Sequence, residues 1–232
     1  MRGFSYFISV IASALIVLCV IITAIELVAF NLDFYKTEYE RLNRVEAIGI
    51  KEDQLMDATK VLLDYTKGNR DNLDVKATVM GKKVDVFAQR DRAHMVDVRN
   101  LAIGVFTFRN ISAVVSVFLI FFTFIMMRRD GWRIISKSYL WALAVLAALI
   151  AGIGVWVAID FTSFWTNFHY VFFTNDLWLL PKESILIQMV PEQFFLDLVS
   201  RIITYSVTVI GVLAAVAVGI LIYLRSRRMI VR

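Results

Sequence analysis

Long apolar runs alternate with two long polar stretches along this chain, and that alternation sets its expected architecture. Residues 4–30, 139–159 and 202–224 are three apolar runs, each near or above the ~20 residues that a helix needs to cross ~30 Å of hydrocarbon. A fourth run, 101–127, is long enough but carries Arg109 and Asn110. Between the runs the period of the pattern changes. Over 52–67, Leu55, Ala58, Leu62 and Tyr65 recur at helical spacing on one face, and Gly68 ends the segment. Residues 73–79 then alternate Leu, Val, Ala, Val with Asp, Lys, Thr; a GKK turn follows, and Val84 and Val86 resume the alternation, which predicts a β-hairpin. From Phe87 the helical period returns and leads straight into the run at 101, so a helix is expected to begin outside the membrane and continue into it.

Residues 160–201 are rich in aromatics but are broken by Asp160, Asn167, His169, Asn175, Asp176 and both prolines of the chain. Such a stretch does not span a bilayer. Trp165, Tyr170, Trp178 and the phenylalanines around them are rings suited to headgroup depth, where one part is dry and a polar edge is wet. The expected fold is a mainly α membrane protein: four transmembrane helices, a small extracellular α+β segment (helix plus β-hairpin), and an aromatic-rich interfacial segment. In order these are a first span within 1–30, an extracellular segment 31–100, a span 101–127, a cytoplasmic loop 128–138, a span 139–159, an extracellular interfacial segment 160–201, a span 202–224 and a cytoplasmic tail 225–232.

Composition agrees: 59% hydrophobic residues and a mean hydropathy of +0.69 are too apolar for a soluble domain of 232 residues. The first run begins beside Arg2, yet its length exceeds the ~7–15 apolar residues of a signal-peptide core and no small-x-small site precedes Asn31, so it is read as a span. Cys19, the sole cysteine, lies inside it as a small buried hydrophobe, and no disulfide or cysteine metal site is expected.

Charge sets the orientation. Arg2, the segment 128–137 and the tail hold nine basic residues against one acid, Asp130; residues 31–100 hold 13 of each sign, and residues 160–201 hold two basic and five acidic. Basic residues resist translocation, so both termini are expected inside and both long polar segments outside. The net charge of +5 follows from this topology, with no call for a nucleic-acid partner and no obligate protein partner evident. Gly152, Gly154, Gly211 and Gly219 are expected where helices approach closely. Arg109, costly at its depth, calls for Glu26 or an oxygen of a bound lipid as its partner.

Candidate chemistry centres on the two histidines, His94 and His169, both on the expected outer side. Asp97 stands three residues after His94 on one helix face, where a carboxylate would orient the imidazole and favour its charged form. No GxSxG, HExxH or glycine-rich phosphate loop is present, which argues against a covalent hydrolase. A metal would have to use the histidines with Asp97 or Asp176, without metal-site spacing, and a bis-histidine haem would need both inside spans; no metal and no cofactor is expected. What remains is a reaction whose substrate carries its own nucleophile, needing only a base, alignment and an oxyanion donor. The non-enzymatic alternative is a membrane scaffold or sensor with a lipid-binding outer belt.

HMVDVRNL at 94–101, FHYVFFTNDLWLLP at 168–181 and LIQMVPEQFF at 186–195 together resemble the lipoprotein intramolecular transacylases of Gram-positive bacteria. The resemblance covers most of the chain. It implies transfer of an acyl chain from the sn-2 ester of a diacylglyceryl-cysteine lipoprotein to that cysteine's own amine, giving a lyso-form lipoprotein at the outer face of the cell membrane. It further implies His94 and His169 as the catalytic pair, with His169 as base and His94, steadied by Asp97, as oxyanion stabiliser. Asn175 and Trp178 are supporting residues of that motif, while Arg109, Trp165 and Tyr170 are taken as lipid-binding.

The topology predicts that cysteines placed singly at Lys67 and Lys182 react with an impermeant thiol reagent on intact cells. Labelling only after lysis would invert the orientation.

Overall fold

The computed structural model describes residues 1–230, so of the expected cytoplasmic tail Val231 and Arg232 lie outside the described residues. Among the described residues nine α-helices and one hairpin follow in order: α1 Arg2–Ala29, α2 Leu32–Arg41, α3 Arg44–Ile48, α4 Glu52–Thr66, β1 Lys76–Val79, β2 Lys82–Asp85, α5 Gln89–Met127, α6 Gly131–Ile159, α7 Phe161–Phe172, α8 Ile185–Met189 and α9 Glu192–Ile230. Four of them, α1, α5, α6 and α9, are long and apolar enough to cross a membrane. Each extends past its apolar run. A 3₁₀ turn at Arg128–Asp130 separates α5 from α6, so the polar residues just before the third run are already helical.

The chain divides into two compact units. One holds α1 as far as Ile25, α5 from Thr107, α6, and α9 from Ile202 on. Its outward residues are apolar, with Val114, Val117, Phe121, Trp141 and Val212 all exposed, as suits a surface solvated by lipid. Inside it small hydroxyls line helix contacts. Ser9 and Thr123 share a 3.0 Å hydrogen bond between α1 and α5, while Ser13 and Ser116 donate to carbonyls one turn back. The Tyr139 hydroxyl donates to the Ile210 carbonyl across 3.0 Å, within a cluster of Val17, Tyr139, Ile210 and Ala217. The glycines expected at helix contacts do not serve there: a Cβ added at Gly152, Gly154, Gly211 or Gly219 meets no atom within 4 Å. Serine and threonine take that role here, because a hydroxyl is nearly as small and satisfies itself on its own helix.

The second unit comprises residues 26–106 and 159–201. Leu55, Ala58, Leu62 and Tyr65, the expected face of α4, are all buried. The hairpin pairs Ala77 with Val84 and Val79 with Lys82 around Met80 and Gly81, both at positive φ, and Ile50 adds a single bridge to Val79. Four helices had no counterpart in the sequence reading. α2 is capped by Asn31, whose side chain accepts the Phe34 N–H, and buries Phe34, Tyr35 and Tyr39. Onto those three rings packs Phe194, 0% exposed, from the first turn of α9, with centroids 4.9–6.3 Å away. α3, α7 and α8 are the others. Glu26, at the edge of this unit, lies 3.7 Å from Lys67.

Leu55 is 0% exposed at the centre of α4's buried face. Leu55→Ala should lower unfolding stability by about 2–5 kcal/mol in thermal or denaturant unfolding of the purified protein, and Leu55→Met by less than ~1.5 kcal/mol. Equal small losses would mean that the face is not packed.

Candidate active site

Both histidines belong to the second unit, on different elements. His94 lies in the second turn of α5, and the start of that helix is fixed by Asp91, whose Oδ2 accepts the Ala88 backbone N–H across 2.9 Å. That is the reciprocal half of a capping box, an acid three residues into the helix satisfying the N-cap amide. His169 lies in the last turn of α7, a helix started by Asp160, whose side chain accepts the Ser163 N–H at 2.8 Å. The two imidazole centroids are 6.0 Å apart.

Aromatic rings wall the pair. Phe173 contacts both, at 5.4 Å from His94 and 5.6 Å from His169. Trp165 and Trp178 each stand 4.8 Å from His169, Phe168 stands 5.6 Å from it, and Tyr170 meets Trp178 edge-on at 5.2 Å. His94 and His169 are 8% and 6% exposed. Three polar ties hold the segment after α7 to the start of α5. Asn175 Nδ2 donates to Asp97 Oδ2 at 2.9 Å, Ser184 Oγ donates to Asp91 Oδ1 at 2.7 Å, and Arg90 donates to the Asp176 carbonyl at 2.7 Å.

The geometry revises one expectation. Asp97 does not orient the His94 ring, because its carboxylate is engaged by Asn175, and His94 Nδ1 is buried with no hydrogen-bond partner. Nor is the charged imidazolium favoured at His94. Burial and the nearby His169 push its pKa down to about 4, and Asp97 opposes them only weakly. Burial also lowers the pKa of His169, against an opposing hydrogen bond to Trp165. Both rings are therefore neutral near pH 7.

His169 Nδ1 lies 2.7 Å from the Trp165 carbonyl oxygen. A carbonyl only accepts, so Nδ1 carries the proton and Nε2 keeps its lone pair. Asn175 and Trp178 thus join the histidines, as does Trp165. Arg109 belongs to the other unit, where its guanidinium donates to Asn110 Oδ1 at 3.1–3.2 Å. Tyr170 is 66% exposed beside Trp178. Sequence reasoning passed over Phe173, Asp91 and Ser184. Asp91 carried a local signal, an acid at the third position of a helix, and Phe173 stands four residues after His169; the contacts of Phe173 with His94 and of Ser184 with Asp91 join positions distant in sequence. Among the described residues no group of three His, Cys, Asp or Glu is placed to hold a metal ion.

The family model of the lipoprotein intramolecular transacylase Lit matches residues 10–195. Among solved structures, the chain is similar to the membrane-integral lipoprotein intramolecular transacylase Lit of Bacillus cereus, with a TM-score of 0.78 and 19% identity over 99% of this chain and 100% of that one. Two structures of that protein with one histidine replaced, by arginine or by alanine, give TM-scores of 0.74 and 0.73 at 19% and 18% identity. Each covers 98% of this chain and 95% or 96% of its own. No curated protein matches the chain.

The buried histidines generate a pH prediction. Their folded pKa values lie below the ordinary value of about 6.5, so the unfolded chain takes up protons first on acidification. The stability they contribute is fully present above pH ~6.5 and is lost as pH falls toward the His94 value of about 4. The thermal midpoint of purified protein should drop by several degrees over that window, and His94→Phe should flatten the drop. A midpoint as steep in the variant would place the acid sensitivity elsewhere.

Proposed function

Because the chain belongs to the lipoprotein intramolecular transacylase family and is a multi-pass membrane enzyme, we propose that it moves the sn-2 acyl chain of a diacylglyceryl-cysteine lipoprotein onto that cysteine's own α-amine, at the outer face of the membrane. The substrate supplies both nucleophile and electrophile. What the protein must add is a neutral base, a donor for the oxyanion and a place poor in water.

The observation that carries the reading is the 2.7 Å contact from His169 Nδ1 to the Trp165 carbonyl, on a ring 6.0 Å from a second buried imidazole. It leaves Nε2 as a basic lone pair. The Trp165 carbonyl that accepts from Nδ1 also favours a proton on His169, a support that His94, with Nδ1 unpartnered, lacks. His169 is accordingly the base, and His94, the weaker base and stronger N–H donor, supports the oxyanion. The amine attacks the sn-2 carbonyl carbon as its free base, and the C–N bond forms as the carbonyl pair moves onto oxygen. His169 Nε2 takes a proton from the attacking nitrogen. As the pair returns, the bond from carbon to the glyceryl oxygen breaks, and His169 passes the proton to that oxygen. An amide and an alcohol replace an amine and an ester without water. Asp97, through Asn175, places the segment after α7 and takes no part in proton transfer.

Phe172, Leu179 and Tyr170, exposed beside the rings, supply an apolar surface for acyl chains and lipid, and Trp165 joins them from within. Arg109, in its own unit, is assigned to a lipid oxygen. The basic-residue asymmetry supports an outward-facing site and the extracellular assignment of 31–100 and 160–201.

Mass spectrometry of a model diacylated lipoprotein tests the reaction. Purified protein should move one acyl chain to the cysteine nitrogen with total mass unchanged; loss of a chain to water would mean a lipase, and no change a scaffold. His94→Ala and His169→Ala should each lower turnover by roughly 10²-fold or more with thermal stability retained. Their double variant should lose far less than the product of the two. Near-normal transfer by folded His169→Ala would remove the base from this mechanism.

A further inference from the structure

Among the described residues, four buried side-chain polar atoms have no hydrogen-bond partner: His94 Nδ1, Arg99 Nε, Trp178 Nε1 and Ser206 Oγ. Arg99 is accounted for by its other contacts, over the Tyr65 ring at 5.0 Å and 3.9 Å from Asp71. Ser206 lies on α9 in the membrane unit. The other two flank one ring, that of His169, with Trp178 at 4.8 Å and His94 at 6.0 Å.

An indole nitrogen is a donor only. Hiding such a donor without an acceptor costs about 1–3 kcal/mol, and a native structure that keeps one calls for a reason, of which service to a ligand in a catalytic site is one. Trp178 is also firmly held. Its face lies against His169 with 30° between the planes, and its edge meets Tyr170 at 89°. The loop before it is closed by Asn175 Oδ1 accepting the Leu177 N–H at 3.0 Å, while Asn175 Nδ2 reaches Asp97. The Leu180 N–H donates to the Trp178 carbonyl at 2.9 Å. This makes the side chain a fixed donor that needs no reorganisation during reaction, the property that gives an oxyanion donor its value.

We propose that the Trp178 indole N–H donates a hydrogen bond to the carbonyl oxygen of the ester being opened, making with His94 a two-donor oxyanion site beside the base. The inference rests on the transacylase reading and adds a catalytic residue to it. As the amine nitrogen bonds to the carbonyl carbon, the negative charge collects on that oxygen, and Trp178 and His94 share it until the glyceryl oxygen departs with its proton from His169. Loss of one such donor slows chemistry and leaves substrate binding nearly as it was.

Trp178→Phe keeps an aromatic face against His169 and removes the donor. With a diacylated lipopeptide substrate, kcat should fall by roughly 10²-fold while KM stays within about threefold. Incorporation of 3-benzothienylalanine at the same position, which has the shape of tryptophan with sulfur in place of N–H, should give the same loss and controls for any packing defect. A substrate with sulfur in place of the reacting carbonyl oxygen, a poor hydrogen-bond acceptor, should bring wild type and Trp178→Phe close together. A benzothienyl variant with normal kcat, or a deficit equal on both substrates, would overturn the proposal and make Trp178 a packing residue. A wild type that moves no acyl chain overturns the reaction as well, which separates failure of the function from failure of this assignment.

Discussion

The hydrogen bond from His169 Nδ1 to the Trp165 carbonyl is the contact on which the geometry of the histidine site depends. An imidazole withdrawn from water has two neutral tautomers, and only one presents its lone pair at Nε2. The bond selects it, using a carbonyl one turn back on the same short helix. It also opposes the burial that lowers the pKa of that ring. A ring at that depth without the bond would be a poorer base in an undefined tautomer.

The second requirement is to bring His94 beside that ring from 75 positions earlier in the chain. No regular element links α5 to the segment after α7. Three polar ties do so instead, at Asp97, Asp91 and Arg90. Asp91 is the most buried of them, 1% exposed, and its two oxygens divide between the start of α5 and Ser184 at the start of α8. A single carboxylate thus sets both the phase at which His94 leaves its helix and the return of the chain after the aromatic segment. Phe173, in contact with both imidazoles, joins the two parts through one apolar ring.

In the proposed reaction, a substrate that carries amine and ester together asks little of an enzyme in covalent chemistry and much in exclusion of water, because water would compete with the amine for the ester. The aromatic wall answers that need. Its rings are large, apolar and rigid, and they lower the pKa of both histidines by the same desolvation that keeps water out. Neutral imidazoles and a site poor in water have one physical cause.

The sequence by itself determined the four helices long and apolar enough to cross a membrane, the helix that runs unbroken from a polar stretch into an apolar run, α4 and the hairpin, because each rests on a local period of hydrophobic positions. It singled out the two histidines by their scarcity and their flanking motifs. Only the tertiary structure decided what their neighbours do. Asp97 reads from spacing as the partner of His94, yet it bonds Asn175, since helical spacing defines a shared face and not which of two acceptable partners is nearer. The glycines of the third and fourth spans read as packing residues, yet serine and threonine hold the helix contacts, since sequence shows which residues permit close approach and not which faces meet. The unpaired nitrogens of His94 and Trp178 are invisible in any local pattern, because an absent partner is a property of everything packed around an atom, drawn here from α5, α7 and the loop that follows.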